Sequence, residues 1–385
     1  MAESSATTSS SAPGLAGPAP AAATPAAPAT PPAAASPPAA ANPSPAVPQN
    51  TGILEVDDAH DGEDDDSALG VSSGDVSETA SVVSSIFRYR EQSGRTFHAY
   101  RDRTGTGSDE FIPYFLPNDE SETERLDLQH NLVILTQDGQ LYISPAGKDK
   151  PLKRVLDAGC GTGIWSIDFA DENPETSVVG IDISPIQPSF VPPKVEFFVD
   201  DLELEWNYVN PFDFIYTRFM TGSLKNWPKF FDQAYKHLQP GGWIEICDIV
   251  SPIACDDGSM TDETPLLKWS KLLLEASENL GASLSSPQHY KQQMIDAGFQ
   301  NVVQVDYKWP TNPWPKDPKH KEIGAWTQAN IMQALQALSI MSFTKGLGWS
   351  VIEVETLLAQ VRKDVKNKDV HAYWPIIVVY GQKPE

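Results

Sequence analysis

Cysteine is nearly absent from this chain of 385 residues, which holds only Cys160, Cys247 and Cys255. They form no CxxC pair and stand at no metal-ligand spacing from the histidines, so a structural zinc and a disulfide framework are excluded and a reducing compartment is expected. Basic residues are scarce too: 28 Lys and Arg face 52 Asp and Glu, for a formal net charge of −24. Backbone-tracking nucleic-acid binding needs cations that displace counterions, so no nucleic-acid partner is expected, and the excess acid reads first as a solubility device. No run approaches the ~18 consecutive apolar residues of a membrane span, and the N-terminus has neither the basic stretch nor the apolar core of a secretory signal. The expected setting is intracellular, nucleus or cytoplasm, without membrane attachment.

Large side chains are missing from the first part of the chain. Residues 1–50 are mainly Ala, Pro, Ser and Thr and carry 12 of the 33 prolines, so they cannot offset their ordering entropy. Residues 51–80 form an acidic block around Asp57, Asp58, Asp61 and residues 63–66 that reads as a solvated spacer. Eleven acids and no Lys or Arg precede residue 81, which leaves 41 acids and 28 bases beyond it, so the remainder is acidic in its own right. The expected organisation is a disordered tail over 1–80, an arm and lid helix over 81–150, and a ligand-binding body over 151–385.

The arm spaces Phe87, Tyr89, Phe97, Tyr100, Phe111, Tyr114 and Phe115 without a clean period and is expected to be irregular. Residues 118–136 then place Leu126, Leu132, Val133 and Leu135 at helical spacing behind an acidic first turn, the pattern of a helix covering a ligand edge. In the body, a short apolar run at 153–157 meets a glycine-rich turn, and 164–172 has helical spacing with Ile164, Ile167 and Phe169 as its buried face. Strands are expected at 177–183, 195–199, 212–216, 243–250, 302–307 and 374–380. Helices are expected at 226–238, ending at Pro240-Gly241-Gly242, and at 264–280, 287–297, 322–341 and 351–366. Strands separated by crossovers imply an α/β class: a doubly wound, mostly parallel sheet with helices on both faces.

Chemistry concentrates in Asp157-Ala158-Gly159-Cys160-Gly161-Thr162-Gly163, between the first sheet strand and its helix, where such sheets hold ligands. The glycines at 159, 161 and 163 depart from the G-x-G-x-x-G of dinucleotide sites, and an acid at 157 is awkward beside a pyrophosphate. It suits S-adenosylmethionine, which has an ammonium, a sulfonium and no phosphate, while glycines let the backbone approach the ligand. Asp182 closes the next strand, 25 residues on, at the position of a ribose ligand. After the third strand Asp201 and Leu202 offer a carboxylate and an apolar face to adenine; Asp200 and Glu203 are alternatives, and a capping role competes.

Together these residues resemble the motifs of class I S-adenosylmethionine-dependent methyltransferases. That resemblance implies a Rossmann-like sheet of seven strands with the last antiparallel, a cofactor site at Asp157, Gly159, Gly161, Gly163, Asp182, Ile183, Asp201 and Leu202, and no metal. A narrower likeness rests on Leu116-Pro117-Asn118-Asp119-Glu120, Arg125-Leu126-Asp127-Leu128-Gln129-His130, residues 163–172, and Asp182-Ile183-Ser184-Pro185-Ile186-Gln187-Pro188. These segments are similar to the fungal LaeA-like methyltransferases, and the likeness runs from about residue 100 to the C-terminus. It implies either a regulator of secondary metabolism working with velvet-type protein partners or a methyltransferase of a biosynthetic pathway, with the methyl acceptor a small molecule or a protein.

Methyl transfer from a sulfonium has a good leaving group, so positioning and desolvation supply most of the catalysis and no obligatory catalytic motif is expected. His98, Tyr100, His130, His289 and Tyr290 are available bases, each expected to be structural, and no catalytic residue is assigned. Cys160 is expected to be a small buried hydrophobe and Trp165 a core residue. Arg218 either orients the cofactor carboxylate or caps its strand. Tyr216-Thr217-Arg218-Phe219 replaces the Asn-Pro-Pro-Tyr tetrad of amide-nitrogen methyltransferases. Trp309, Trp314, Trp326 and Trp349 line an apolar pocket or, as is commoner, the core. Residues 148–154 are a basic string that reads as domain surface rather than a nuclear address.

Overall fold

Two three-residue strands, β1 (Arg90–Gln92) and β2 (Arg95–Phe97), pair antiparallel ahead of the first helix, where the sequence suggested only an irregular arm. Strands this short carry too few residues for alternation to be read. The computed structural model describes residues 52–57, 90–92, 95–97 and 117–385. The rest of the tail, the remaining arm aromatics, and His98 and Tyr100 lie outside the described residues.

The lid helix α1 (Glu120–Thr136) starts one residue after Asp119, whose carboxylate accepts from Glu122 N at 3.1 Å and whose first turn is acidic, as the helix dipole favours. The sheet then follows as β3 (Arg154–Ala158), α2 (Ile164–Glu172), β4 (Ser177–Asp182), β5 (Val195–Val199), β6 (Phe212–Arg218), α3 (Trp227–His237) and β7 (Leu238–Ile249). Beyond it come β8 (Ala254–Cys255), α4 (Pro265–Asn279), α5 (Tyr290–Asp296), β9 (Gln300–Pro310), α6 (Pro318–Met341), α7 (Val351–Lys366) and β10 (Ala372–Gln382). Spatial order is β5-β4-β3-β6-β7-β10, with β9 beyond β10; β3 to β7 pair parallel, and β10 is antiparallel to its neighbours. The eighth strand is the two-residue β8 on the start of β10, which no sequence period announces.

Alternation along the strands sorts the core onto two faces. From β3, Val155 joins Trp165 and Phe169 of α2, while Leu156 joins Phe230 and Phe231 of α3 and Met294 of α5. On the α2 side the core continues over β7 and β10 beneath α1, α4, α6 and α7. The buried face of α2 is Trp165, Ser166, Phe169 and Ala170, not Ile164 and Ile167, because Trp165 lies flat on Tyr216 with centroids 4.0 Å apart. α3 ends at His237, three residues before Pro240, and β7 starts at once.

The acidic spacer expected from residue 51 is attached to the body over 52–57. Val56 bridges Pro315, Lys316 N donates to Glu55 O at 2.7 Å, and Asp57 N donates to Trp314 O at 2.9 Å. Glu55 pairs with Lys316 at 3.1 Å and Asp57 with Lys321, so acids of this stretch meet lysines on the body. Among the described residues no helix is long and apolar enough to cross a membrane.

Candidate functional site

At the carboxyl end of β3 the chain turns through residues 159–163, pinned to β4 by Gly159 N and Cys160 N, which donate to Ile181 O at 2.8 and 2.9 Å. Gly159, Gly161 and Gly163 have φ of 78°, 55° and 79°, where side chains are disfavoured. They do different work. A Cβ on Gly159 would overlap Met220, and one on Gly163 would overlap the Phe197 ring, so both permit close packing within the protein. Among the described residues a Cβ on Gly161 would meet only Leu126 Cδ1, at 3.7 Å, on the wall of a cleft. Gly161 alone of the three opens toward a ligand.

Asp157 lies beneath this loop, 2% exposed, its carboxylate accepting from Ser166 Oγ at 2.7 Å. Burial pushes its pKa up to about 6, with the Asp182 charge adding and Ser166 and Arg218 opposing. Asp182, at the end of β4, accepts from Gly161 N and Ser184 N at 2.9 Å each, and burial raises its pKa as well. Gln187 clasps the same turn, donating to Gly161 O at 2.6 Å and Ser184 O at 2.9 Å. Its role was not legible in the sequence, where it stands 26 residues from Gly161.

Gly161 and Asp182 line the cleft; Asp157, Gly159, Gly163, Ile183, Asp201 and Leu202 do not. Ile183 is half-buried just past β4. Asp201 is buried and one of its carboxylate oxygens accepts from Glu203 N at 3.0 Å, a turn contact of the capping kind. Leu202 packs into the core on the α3 face. Cys160 is buried and its thiol pKa is pushed well up by burial, which fits a packing role and leaves no reactive thiolate.

The lid helix is tied to this edge by polar contacts. Thr162 Oγ1 donates to Asp127 at 2.8 Å. Arg218 Nη1 lies 2.9 Å from His130 Nδ1, and His130 Nε2 lies 2.9 Å from Asp168 on α2. Since a guanidinium can only donate, His130 accepts through Nδ1 and donates through Nε2; burial lowers its pKa and keeps it neutral. His130 is therefore occupied as a structural link, and Arg218 joins α1 to β6.

The cleft runs from Gly161 and Asp182 between α1 and α6 and over the ends of β6 and β7. Its apolar wall includes Phe219, Trp269, Trp309, Ile331 and Trp374. Of the four tryptophans singled out in the sequence only Trp309 reaches it, and Trp269 and Trp374 had no distinguishing signal. Phe219 sits at φ 52°, a strained conformation for a non-glycine residue, and faces Trp309 at 5.8 Å. Asp248, at the end of β7, is fully buried and accepts from Thr221 N, Ile249 N and Tyr290 Oη at 2.8, 2.9 and 3.0 Å. Burial nonetheless pushes its pKa up to about 7.

Residues 134–304 match the family described as a methyltransferase domain. The chain is 37% identical over 79% of its length to the probable methyltransferase tdiE of Emericella nidulans, covering 92% of that protein. It is 36% identical over 80% of its length to the methyltransferase pytC of Aspergillus terreus, covering 92% of it. With the secondary metabolism regulator LAE1 of Cochliobolus heterostrophus it shares 32% identity over 76% of its length and covers 94% of that protein.

Proposed function

The chain belongs to the LaeA-like family of class I S-adenosylmethionine-dependent methyltransferases, and we propose that it is a catalytically working member that binds its cofactor on the loop of residues 157–163. S-adenosylmethionine is the cofactor, and when bound it supplies a methyl group on a sulfonium with a neutral thioether as leaving group. The observation that carries the reading is Gly161, whose bare backbone faces the cleft while its N–H fixes the Asp182 carboxylate. In this reading Asp182 accepts from the ribose, and Asp157 acts on the ligand's cations through space rather than by contact. Ile183, Asp201 and Leu202 are assigned to the adenine side, where their packing shapes the floor. α1 covers the edge and keeps water out.

Asp182→Asn is expected to weaken S-adenosylmethionine binding at least about tenfold, measured by calorimetry, because a charged acceptor contributes roughly twice a neutral one. Unchanged affinity in a folded variant would remove the ribose assignment.

Affinity also carries a pH signature. The raised pKa of Asp157 means that the free folded protein holds this proton more tightly than the unfolded chain does. Its contribution to stability is therefore present at low pH and lost as pH rises through about 6. A cation bound nearby favours the ionised form, so cofactor affinity is expected to rise about tenfold from pH 5 to pH 7 and to rise less in Asp157→Asn. A flat profile for the unaltered protein would contradict this role.

The likeness to the probable methyltransferase tdiE and the methyltransferase pytC supports turnover, here read as methylation of a biosynthetic intermediate. A second reading, favoured by the likeness to LAE1, is a regulator that keeps the cofactor site and acts through velvet-type protein partners. Both readings place the protein inside the cell, in nucleus or cytoplasm. Formation of S-adenosylhomocysteine with a small-molecule acceptor separates them.

A further inference from the structure

Where α1 and α6 face each other, the cleft lining holds a paired charge and two unanswered donors that together describe an occupant. Arg125 and Glu122, on the α1 wall, pair bidentately at 3.0 and 2.6 Å, and Arg125 also donates to Asn330 on α6 at 2.8 Å. Asp248 accepts from two backbone N–H groups and the Tyr290 hydroxyl. Among the described residues an anionic guest would meet no free cation here, and a cationic guest would meet a carboxylate whose oxygens already accept three hydrogen bonds; either would lose its hydration.

Two polar atoms in the same lining are buried without a hydrogen-bond partner: Asn118 Nδ2 and Thr327 Oγ1. Asn118 is 7% exposed and its amide oxygen is already taken by Thr96 Oγ1 at 3.1 Å, which fixes Nδ2 as the donor left over. Thr327 is 2% exposed and lies one helical turn before Asn330, whose side chain takes the Arg125 bond between α1 and α6, and Asn118 stands just before the Asp119 cap of α1. Buried donors are nearly always satisfied in native proteins, and an orphan in a binding cleft points to a ligand atom. The same lining carries the aromatic rings of Phe219, Trp269 and Trp309.

We propose that this part of the cleft is the acceptor chamber, and that it takes a small, uncharged, ring-bearing molecule whose carbonyl-type oxygen accepts from Asn118 Nδ2 and Thr327 Oγ1. A polypeptide segment fits poorly, because its own amide groups would be buried against a lining made largely of aliphatic and aromatic side chains. The inference rests on the cofactor reading above and deepens it by naming the acceptor class and its specificity residues.

The test uses the full chain with coumarin and flavone as neutral carbonyl rings, 2H-chromene and flavan as their carbonyl-free counterparts, and coumarin-3-carboxylate as the charged analogue. Binding is read by quenching of tryptophan fluorescence. Coumarin or flavone is expected to quench saturably, more strongly than its carbonyl-free counterpart, with the carboxylate weakest. Thr327→Val and Asn118→Leu are each expected to weaken the carbonyl probes about tenfold and leave chromene and flavan unchanged. Thr327→Val should also hold or raise thermal stability, since it removes an unsatisfied buried hydroxyl. Calorimetry with S-adenosylmethionine on the same samples separates the two claims. If the protein binds the cofactor but no carbonyl probe, prefers the carboxylate, or loses all probes equally in the variants, the chamber proposal is overturned and the cofactor reading stands. If it binds no cofactor, the cofactor reading itself falls.

Discussion

Gly161→Glu is expected to abolish detectable S-adenosylmethionine binding, a loss of more than about a hundredfold, in a protein that stays folded. A side chain at φ 55° costs about 1–2 kcal/mol. Among the described residues the only atom a Cβ would approach is Leu126 Cδ1 at 3.7 Å, so little in the described body resists the change. The added carboxylate enters the cleft where the ligand's backbone contact is made, beside the existing charges of Asp157 and Asp182. Gly163→Ala makes the contrast, because its Cβ would overlap Phe197 and the damage should appear as lost stability before lost affinity. Circular dichroism melts beside the calorimetry distinguish the outcomes. Wild-type affinity in Gly161→Glu would mean that the ligand does not lie on this loop.

Glu122→Leu carries the second large expected effect, a loss of about 3 kcal/mol in folding stability measured by urea denaturation. The pair it breaks is buried, with side chains 9% and 5% exposed for Arg125 and Glu122. Removing the carboxylate leaves a guanidinium in the lining of the cleft with only Asn330 to answer it. Adding Arg125→Met should recover most of the loss, since replacing both charges removes the desolvation penalty with the attraction. A Glu122→Leu variant within about 0.5 kcal/mol of the original would show that the pair is solvated, and it would weaken the case for a chamber that offers no free cation.

The parts of this fold that were legible in the sequence are those fixed by short-range patterns. The strand, glycine turn and helix at 154–172 follow from an apolar run, three glycines and a helical period, and α7 over Val351–Lys366 falls on its expected bounds. Residues whose meaning depends on distant partners were not legible. Nothing near residue 125 announces that Arg125 bonds Asn330, 205 residues away, nor does the acidic block announce that Asp57 meets Lys321. The three glycines look equivalent in sequence, and only Met220, Phe197 and the open space at Gly161 tell them apart. The chamber walls come from α1, α4, α6 and the ends of β6 and β7, and tryptophans that face it have the same local pattern as those that do not.

The central claim is that this chain holds S-adenosylmethionine on the loop of residues 157–163, and titration calorimetry of the full chain at pH 7 tests it most directly. One site per chain for S-adenosylmethionine and for S-adenosylhomocysteine, with none for NADH, is the expected result. Binding of NADH, or no binding of S-adenosylmethionine by a chain shown to be folded, would contradict it.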